Sequence, residues 1–184
     1  MASYRRTTLS LFAAAALAAT AFAFALTACG YSSDSKDVSE GEPVKLGELQ
    51  YNAVFSRFLN PNDNEDSAYL VGQPEAPPAF AYFGVFLEVH NGSEEPQELA
   101  SSFTITDADH ETFEAIPSES LYALPFGGEV GSEEQIPILG SPPQQGPIEG
   151  SLVLFKLPGS ASENRPLIFS IPGPDGPATV TLDL

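Results

Sequence analysis

Apolar and polar residues alternate along several short segments of the chain, a period of two that is typical of β-strands burying one face. The clearest segment runs from Phe80 to His90, where every second residue from Ala81 to Val89 is apolar. Similar patterns occur in five further segments, which are 49–55, 103–106, 152–157, 167–171 and 178–184. Val54, within the first of these segments, and Phe58, just after it, break the alternation, which predicts either a β-bulge or a fully buried strand centre.

Turn signals separate the apolar segments, including Asn91-Gly92 and the sequence Gly173-Pro174-Asp175-Gly176. Short strands joined by such turns predict an all-β fold. We expect an immunoglobulin-like β-sandwich of about seven or eight mostly antiparallel strands over residues 46–184. The Cys…Trp…Cys core signature of that fold is missing, because the chain has one cysteine and no tryptophan.

The first 28 residues have the pattern of a lipoprotein signal peptide. Two arginines at positions 5–6 precede an apolar run over residues 9–26. The run ends in Leu26-Thr27-Ala28-Cys29, which predicts cleavage between Ala28 and Cys29 and attachment of diacylglycerol to the Cys29 sulfur. A membrane-spanning helix and a signal peptide without lipidation are the alternatives, and the export route, Sec or twin-arginine, stays open.

Cys29 is the only cysteine of the chain, so an intramolecular disulfide is excluded. An unpaired cysteine in an exported protein needs an explanation, and lipidation supplies one. We therefore expect a protein anchored to the cell membrane through its lipid and facing the outside of the cell.

Residues 29–45 are polar and acidic, which predicts a disordered tether between the lipid and the folded domain. The signal segment contains Arg5 and Arg6 and no acid, so the rest of the chain keeps 5 basic and 25 acidic residues, a formal net charge of −20. This charge argues against nucleic acid as a partner and against a domain lying on anionic lipid. It favours solubility, and a bound cation or basic partner stays open.

A short polar loop at residues 60–66 offers side-chain oxygens at alternate positions. The spacing is similar to the start of a calcium-binding loop, but Glu65 and Val71 replace the turn glycine and the bidentate glutamate of that motif. The alternative is the capped start of a short helix, with Asn60 as N-cap and Pro61 at the first helical position. The candidate metal ligands are Asn60, Asn62, Asp63, Asn64 and Asp66.

The second face of the segment 80–90 carries Tyr82 and Phe86 on either side of Gly84. Two aromatic side chains beside a glycine could form an interaction patch. The alternative is that residues 60–78, which include Tyr69 and Leu70, fold over this face and bury it.

Catalytic signatures are lacking in the sequence. His90 ends a predicted strand, His110 lies in an Asp-rich turn, and neither has a second histidine at metal-ligand spacing. No G-x-S-x-G motif supplies a nucleophile. We expect a protein that is not an enzyme and needs no cofactor, calcium being the one candidate.

Five motifs occur in an order that resembles the telokin-like, immunoglobulin-like domains of unknown function on lipoproteins of Gram-positive bacteria. A small immunoprotective extracellular antigen of mycobacteria is similar. The resemblance covers about residues 47–184 and implies a cell-surface domain without established activity or catalytic residues. The motifs are Tyr51 to Phe55, Arg57-Phe58-Leu59-Asn60-Pro61, Tyr82 to Asn91, Phe103 to Asp107, and Gly150 to Pro158.

These observations predict a membrane-anchored module that binds an unidentified protein or small ligand outside the cytoplasm. The alternative function is a calcium-stabilised structural or adhesion domain. A set of oxygen ligands assembled by residues 60–66 would favour the alternative.

Overall fold

The structure is a computed structural model that describes residues 36–183, and it is built almost entirely from β-strands. Within that range there are two short α-helices, α1 (Asn64–Tyr69) and α2 (Pro142–Gln145), and one turn of 3₁₀ helix (Gly159–Ser162). None of the helices in this range is long and apolar enough to cross a membrane. The strands are β1 (Asp37–Ser39), β2 (Val44–Leu46), β3 (Leu49–Leu59), β4 (Phe80–Asn91), β5 (Gln97–Glu98), β6 (Thr104–Thr106), β7 (Thr112–Glu114), β8 (Glu129–Val130), β9 (Gln135–Ile136), β10 (Ser151–Pro158), β11 (Leu167–Ile171) and β12 (Ala178–Leu182).

The strands form two five-stranded sheets and a two-stranded ribbon. The first sheet has the order β1-β12-β11-β6-β7, and the second has the order β10-β4-β3-β2, with β9 paired to the end of β4. The ribbon pairs β5 with β8. All pairings between these strands are antiparallel except that of β1 with β12, which is parallel.

The main core lies between the two five-stranded sheets. Phe83, Val85 and Leu87 of β4 are fully buried, as the alternation predicts, and belong to the same apolar cluster as Phe169 of the other sheet. The Phe155 and Phe169 rings meet edge to face across the sheets, with their centroids 6.1 Å apart. The predicted all-β sandwich is therefore confirmed, with additional short strands beyond the seven or eight expected.

The predicted bulge in β3 is also confirmed. The pairing of β3 with β4 shifts between Ala53 and Phe55, which leaves Val54 as the extra residue. Tyr51 and Ala53 face the core before the bulge, and Ser56 is buried after it. The extra residue thus changes which positions of β3 face inwards.

The predicted boundary of the domain at residue 46 is wrong, because residues 36–45 belong to the fold. β1 pairs with β12 and β2 pairs with β3, and the side chains of Val38 and Val44 are buried. The Glu40 carboxylate accepts hydrogen bonds from the Ser56 N–H at 3.0 Å, the Ser56 hydroxyl, and the Asp183 N–H at 3.2 Å. Two valines and one hydrogen-bonded glutamate are enough to order a segment whose polar composition is typical of a tether.

Candidate functional site

The outer face of the second sheet, which points away from the main core, has an apolar half that other segments cover. Tyr82 and Phe86 of β4 form a second buried cluster with Leu152 and Leu154 of β10. Tyr69, from α1, packs its ring against Phe86 at a centroid distance of 5.0 Å. The sandwich therefore has a second, smaller apolar core outside the second sheet.

This covering confirms the prediction that residues 60–78 fold over the aromatic face. Phe86 is fully buried and Tyr82 is 4% exposed. The Tyr82 hydroxyl donates a hydrogen bond to the Pro74 carbonyl at 2.8 Å, which holds the covering segment down. Tyr82 and Phe86 are consequently not a free interaction patch, and that alternative is wrong.

The proposed calcium ligands have other roles in the structure. Asp63 is the N-cap of α1, and its carboxylate accepts hydrogen bonds from the N–H groups of Glu65 and Asp66. The predicted capped helix is therefore present, but its cap is Asp63 and not Asn60. Asn60 instead accepts from the N–H of Asn62 at 3.0 Å in the turn before the helix.

Asp66 is a buried carboxylate with a partner on β3. It forms an ion pair with Arg57, and its other oxygen accepts a hydrogen bond from the Asn60 N–H at 2.7 Å. Arg57 also contacts Glu65 at 3.1 Å. Among residues 36–183, no group of three or more His, Cys, Asp or Glu side chains is placed to hold a metal ion. In this loop the acidic side chains fasten α1 to the sheet.

Cys29 and Ala28, the predicted lipidation and cleavage residues, lie outside the described residues. Leu184, at the end of the last predicted strand, lies outside them as well.

The other half of the outer face is open and polar. Its side chains come from three neighbouring strands, and the pairing places Gln50 opposite His90, Asn52 opposite Glu88, and His90 beside Gln135. These five residues line a cleft of about 320 Å³. Pro43 and Ile136 add apolar surface to its walls. The volume is at the lower end of the range for small-molecule sites.

One carboxylate, that of Glu88, lies in this cleft. The Asn52 amide donates a long hydrogen bond of 3.4 Å from Nδ2 to Oε2 of Glu88. The opposite amide oxygen, Oδ1, is buried and accepts no hydrogen bond from any described residue. Within the same part of the chain, Glu88 has no Lys, Arg or His side chain at ion-pair distance. The cleft thus presents a carboxylate that has no ion-pair partner among the described residues.

Sequence reasoning missed this cleft although it identified the strands. The alternation correctly places Gln50, Asn52, Glu88 and His90 on outward positions, but it does not tell which residues of two strands stand opposite each other. The contribution of Gln135 depends on β9, a strand of two residues that has no readable period. The only available signal was a run of polar outward positions at one end of two adjacent strands.

Comparisons with known proteins assign no function to the chain. No protein-family model and no curated protein matches the chain. Among solved structures, an uncharacterised β-sandwich protein from Clostridium difficile is similar, with 11% identity, 80% of this chain and 93% of that chain covered, and a TM-score of 0.49. The yjhA protein of Bacillus subtilis is similar with 12% identity, 79% and 98% coverage, and a TM-score of 0.47.

The ycdA protein of Bacillus subtilis, described as a candidate lipoprotein, is similar with 11% identity and a TM-score of 0.46. The match covers 79% of this chain and 39% of that one. Likenesses at these values carry no argument about activity or ligand. They do not show the telokin-like family or a relation to the mycobacterial antigen, so that resemblance stays a prediction.

Proposed function

We propose that this protein is a lipid-anchored, extracytoplasmic β-sandwich that binds a ligand in the open cleft of its second sheet. The observation that carries the anchor is the sequence Leu26-Thr27-Ala28-Cys29 at the end of an apolar run preceded by two arginines. Cys29 is the single cysteine of the chain, which fits its use as the lipid attachment residue.

The binding role rests on the contrast between the two halves of the outer face. The apolar half is sealed by Tyr69 and neighbouring side chains, whereas the polar half is left open and concave. Polar side chains, including Glu88 and His90, line that open half. A concave site with a few convergent polar groups is the usual form of a small-ligand site.

The anchor is tested by replacing Cys29 and following lipid attachment in the native host. Cys29→Ala is expected to abolish incorporation of labelled palmitate and to release the protein from the membrane fraction. Thr27→Ala is the matched control, because it keeps a leucine, two small residues and a cysteine, and it should be lipidated like the wild type. Equal labelling and retention of Cys29→Ala and wild type would overturn the proposal.

A further inference from the structure

We propose that the open cleft of the second sheet binds a cationic nitrogen group, a protonated amine or a guanidinium, and this inference rests on the binding role proposed above. Such a group carries a positive charge and several N–H donors and accepts no hydrogen bond. The cleft offers complementary acceptors, which are the Glu88 carboxylate and the side-chain amides of Gln50 and Gln135 on the neighbouring strands.

The charges around the cleft support a cation over an anion or a neutral ligand. Glu88 is the only carboxylate among the cleft-lining residues, and no described Lys or Arg pairs with it. Lys45 stands beside Gln50 in the strand pairing, but its Nζ lies 3.6 Å from Glu48 Oε2. An anionic ligand would therefore meet an uncompensated carboxylate and find no Lys or Arg side chain among the residues that line the cleft.

The shape and the other side chains limit the size of the ligand. A cleft of about 320 Å³ admits a small amine or the end of one long side chain. Gln50 and Gln135 flank His90 on the neighbouring strands and provide further amide oxygens. Pro43 and Ile136 provide apolar surface against which methylene groups can pack. An alkyl chain that ends in an amine or a guanidinium has this combination of properties.

Calorimetric titration of the full chain in neutral detergent at physiological salt tests the inference. Agmatine is the main probe, because it carries a guanidinium, a short alkyl chain and an amine. A short peptide ending in arginine tests the same chemistry presented by a protein. Glutarate and glucose represent an anion and a neutral hydroxylated ligand. Saturable one-to-one binding of agmatine or the peptide is expected, and the tighter of the two identifies the source of the cation.

Two variants separate the cleft from general attraction to an acidic protein. Glu88→Gln keeps the shape of the side chain and is expected to weaken binding about tenfold or more. Gln50→Leu, which removes one amide acceptor of the cleft, is expected to weaken it about threefold or more. Glu163→Gln removes one charge from an exposed residue at the opposite end of the domain, and binding should stay within about twofold.

Three results would overturn the inference. These are no binding of agmatine or peptide, equal weakening by Glu88→Gln and Glu163→Gln, and preferred binding of glucose or glutarate. Binding of glucose or glutarate that Gln50→Leu abolishes would overturn the cationic ligand and keep the cleft as a binding site. Failure of lipid attachment in the Cys29 experiment is a separate result and concerns the anchor alone.

Discussion

Glu40 provides the sharpest test of where the folded domain begins. It lies in the polar segment whose composition predicts a tether, yet its carboxylate joins β1 to the bulged strand β3 and to the end of β12. If residues 36–45 were a tether, Glu40→Ala would leave the stability unchanged. If the hydrogen bonds form, the same substitution removes the acceptor of three donors.

The size of the effect follows from the burial of the donors. Ser56 is 2% exposed, so its N–H and hydroxyl lose a partner in a place that water does not readily reach. A buried donor without a partner costs about 1–3 kcal/mol. The Asp183 N–H is exposed and can bond to water instead. We expect Glu40→Ala to lower the free energy of unfolding by about 2–4 kcal/mol, a fall in Tm of roughly 5–15 °C.

Thermal and urea unfolding followed by far-ultraviolet circular dichroism measure this change. Glu75→Ala is the matched control, because it removes the same charge from an exposed loop residue and should change stability by about 0.5 kcal/mol or less. Unfolding curves of Glu40→Ala that overlay those of Glu75→Ala would show that the hydrogen bonds of the Glu40 carboxylate contribute nothing to stability.

Three further substitutions test other parts of the structure. Phe86→Ala should lower the free energy of unfolding in urea by about 3–5 kcal/mol, because the ring is fully buried. Phe80→Ala, at a side chain 43% exposed, should lower it by about 1 kcal/mol or less. Similar losses of stability for the two variants would contradict the burial of the aromatic face. Burial raises the pKa of the Tyr51 hydroxyl above 10.0, against the smaller opposite effect of the hydrogen bond from the Ala100 N–H. The part of the folding free energy that depends on a neutral Tyr51 hydroxyl is therefore fully present below pH 10 and is lost as the pH rises through the higher folded pKa. Tyr51→Phe removes this titrating group, so the alkaline fall in stability, followed by circular dichroism, should become less steep. Asn91→Ala should cost about 2–3 kcal/mol in urea unfolding, since the fully buried amide donates to three backbone carbonyls, and an unchanged midpoint would contradict this role.

The sequence predicts those parts of the fold in which one strand carries enough residues to show its period. β4 has twelve residues, and its inward positions were predictable from alternation alone. β1 and β2 have three residues each, so Val38 and Val44 give no period against a polar background. The helix cap is a similar case, since Asn60 and Asp63 are both good cap residues and only the backbone geometry selects Asp63.

The candidate site depends on which residues of neighbouring strands stand opposite each other. Asn52 and Glu88 are 36 positions apart, and they meet because β3 pairs with β4 in the register that also places Leu49 opposite Asn91. A bulge is visible as a break in alternation, but the pairing on each side of it is not. The unused acceptor of Asn52 is a property of the assembled sheet and has no counterpart in the sequence pattern.

The parallel pairing of β1 with β12 would have a mechanical consequence if the domain is held by the lipid anchor proposed at Cys29. The Thr179 N–H donates to the Lys36 carbonyl at 2.7 Å, and the Glu40 N–H donates to the Thr181 carbonyl at 2.9 Å. A pull along β1 from its N-terminal end, with the opposite end of the domain held, slides this strand past its parallel neighbour. The hydrogen bonds at the two ends of the pair are then loaded together, in shear, and must break almost at once. Under such a pull, the edge strand β1 would therefore separate from β12 only when several hydrogen bonds break together, and not by breaking one bond after another.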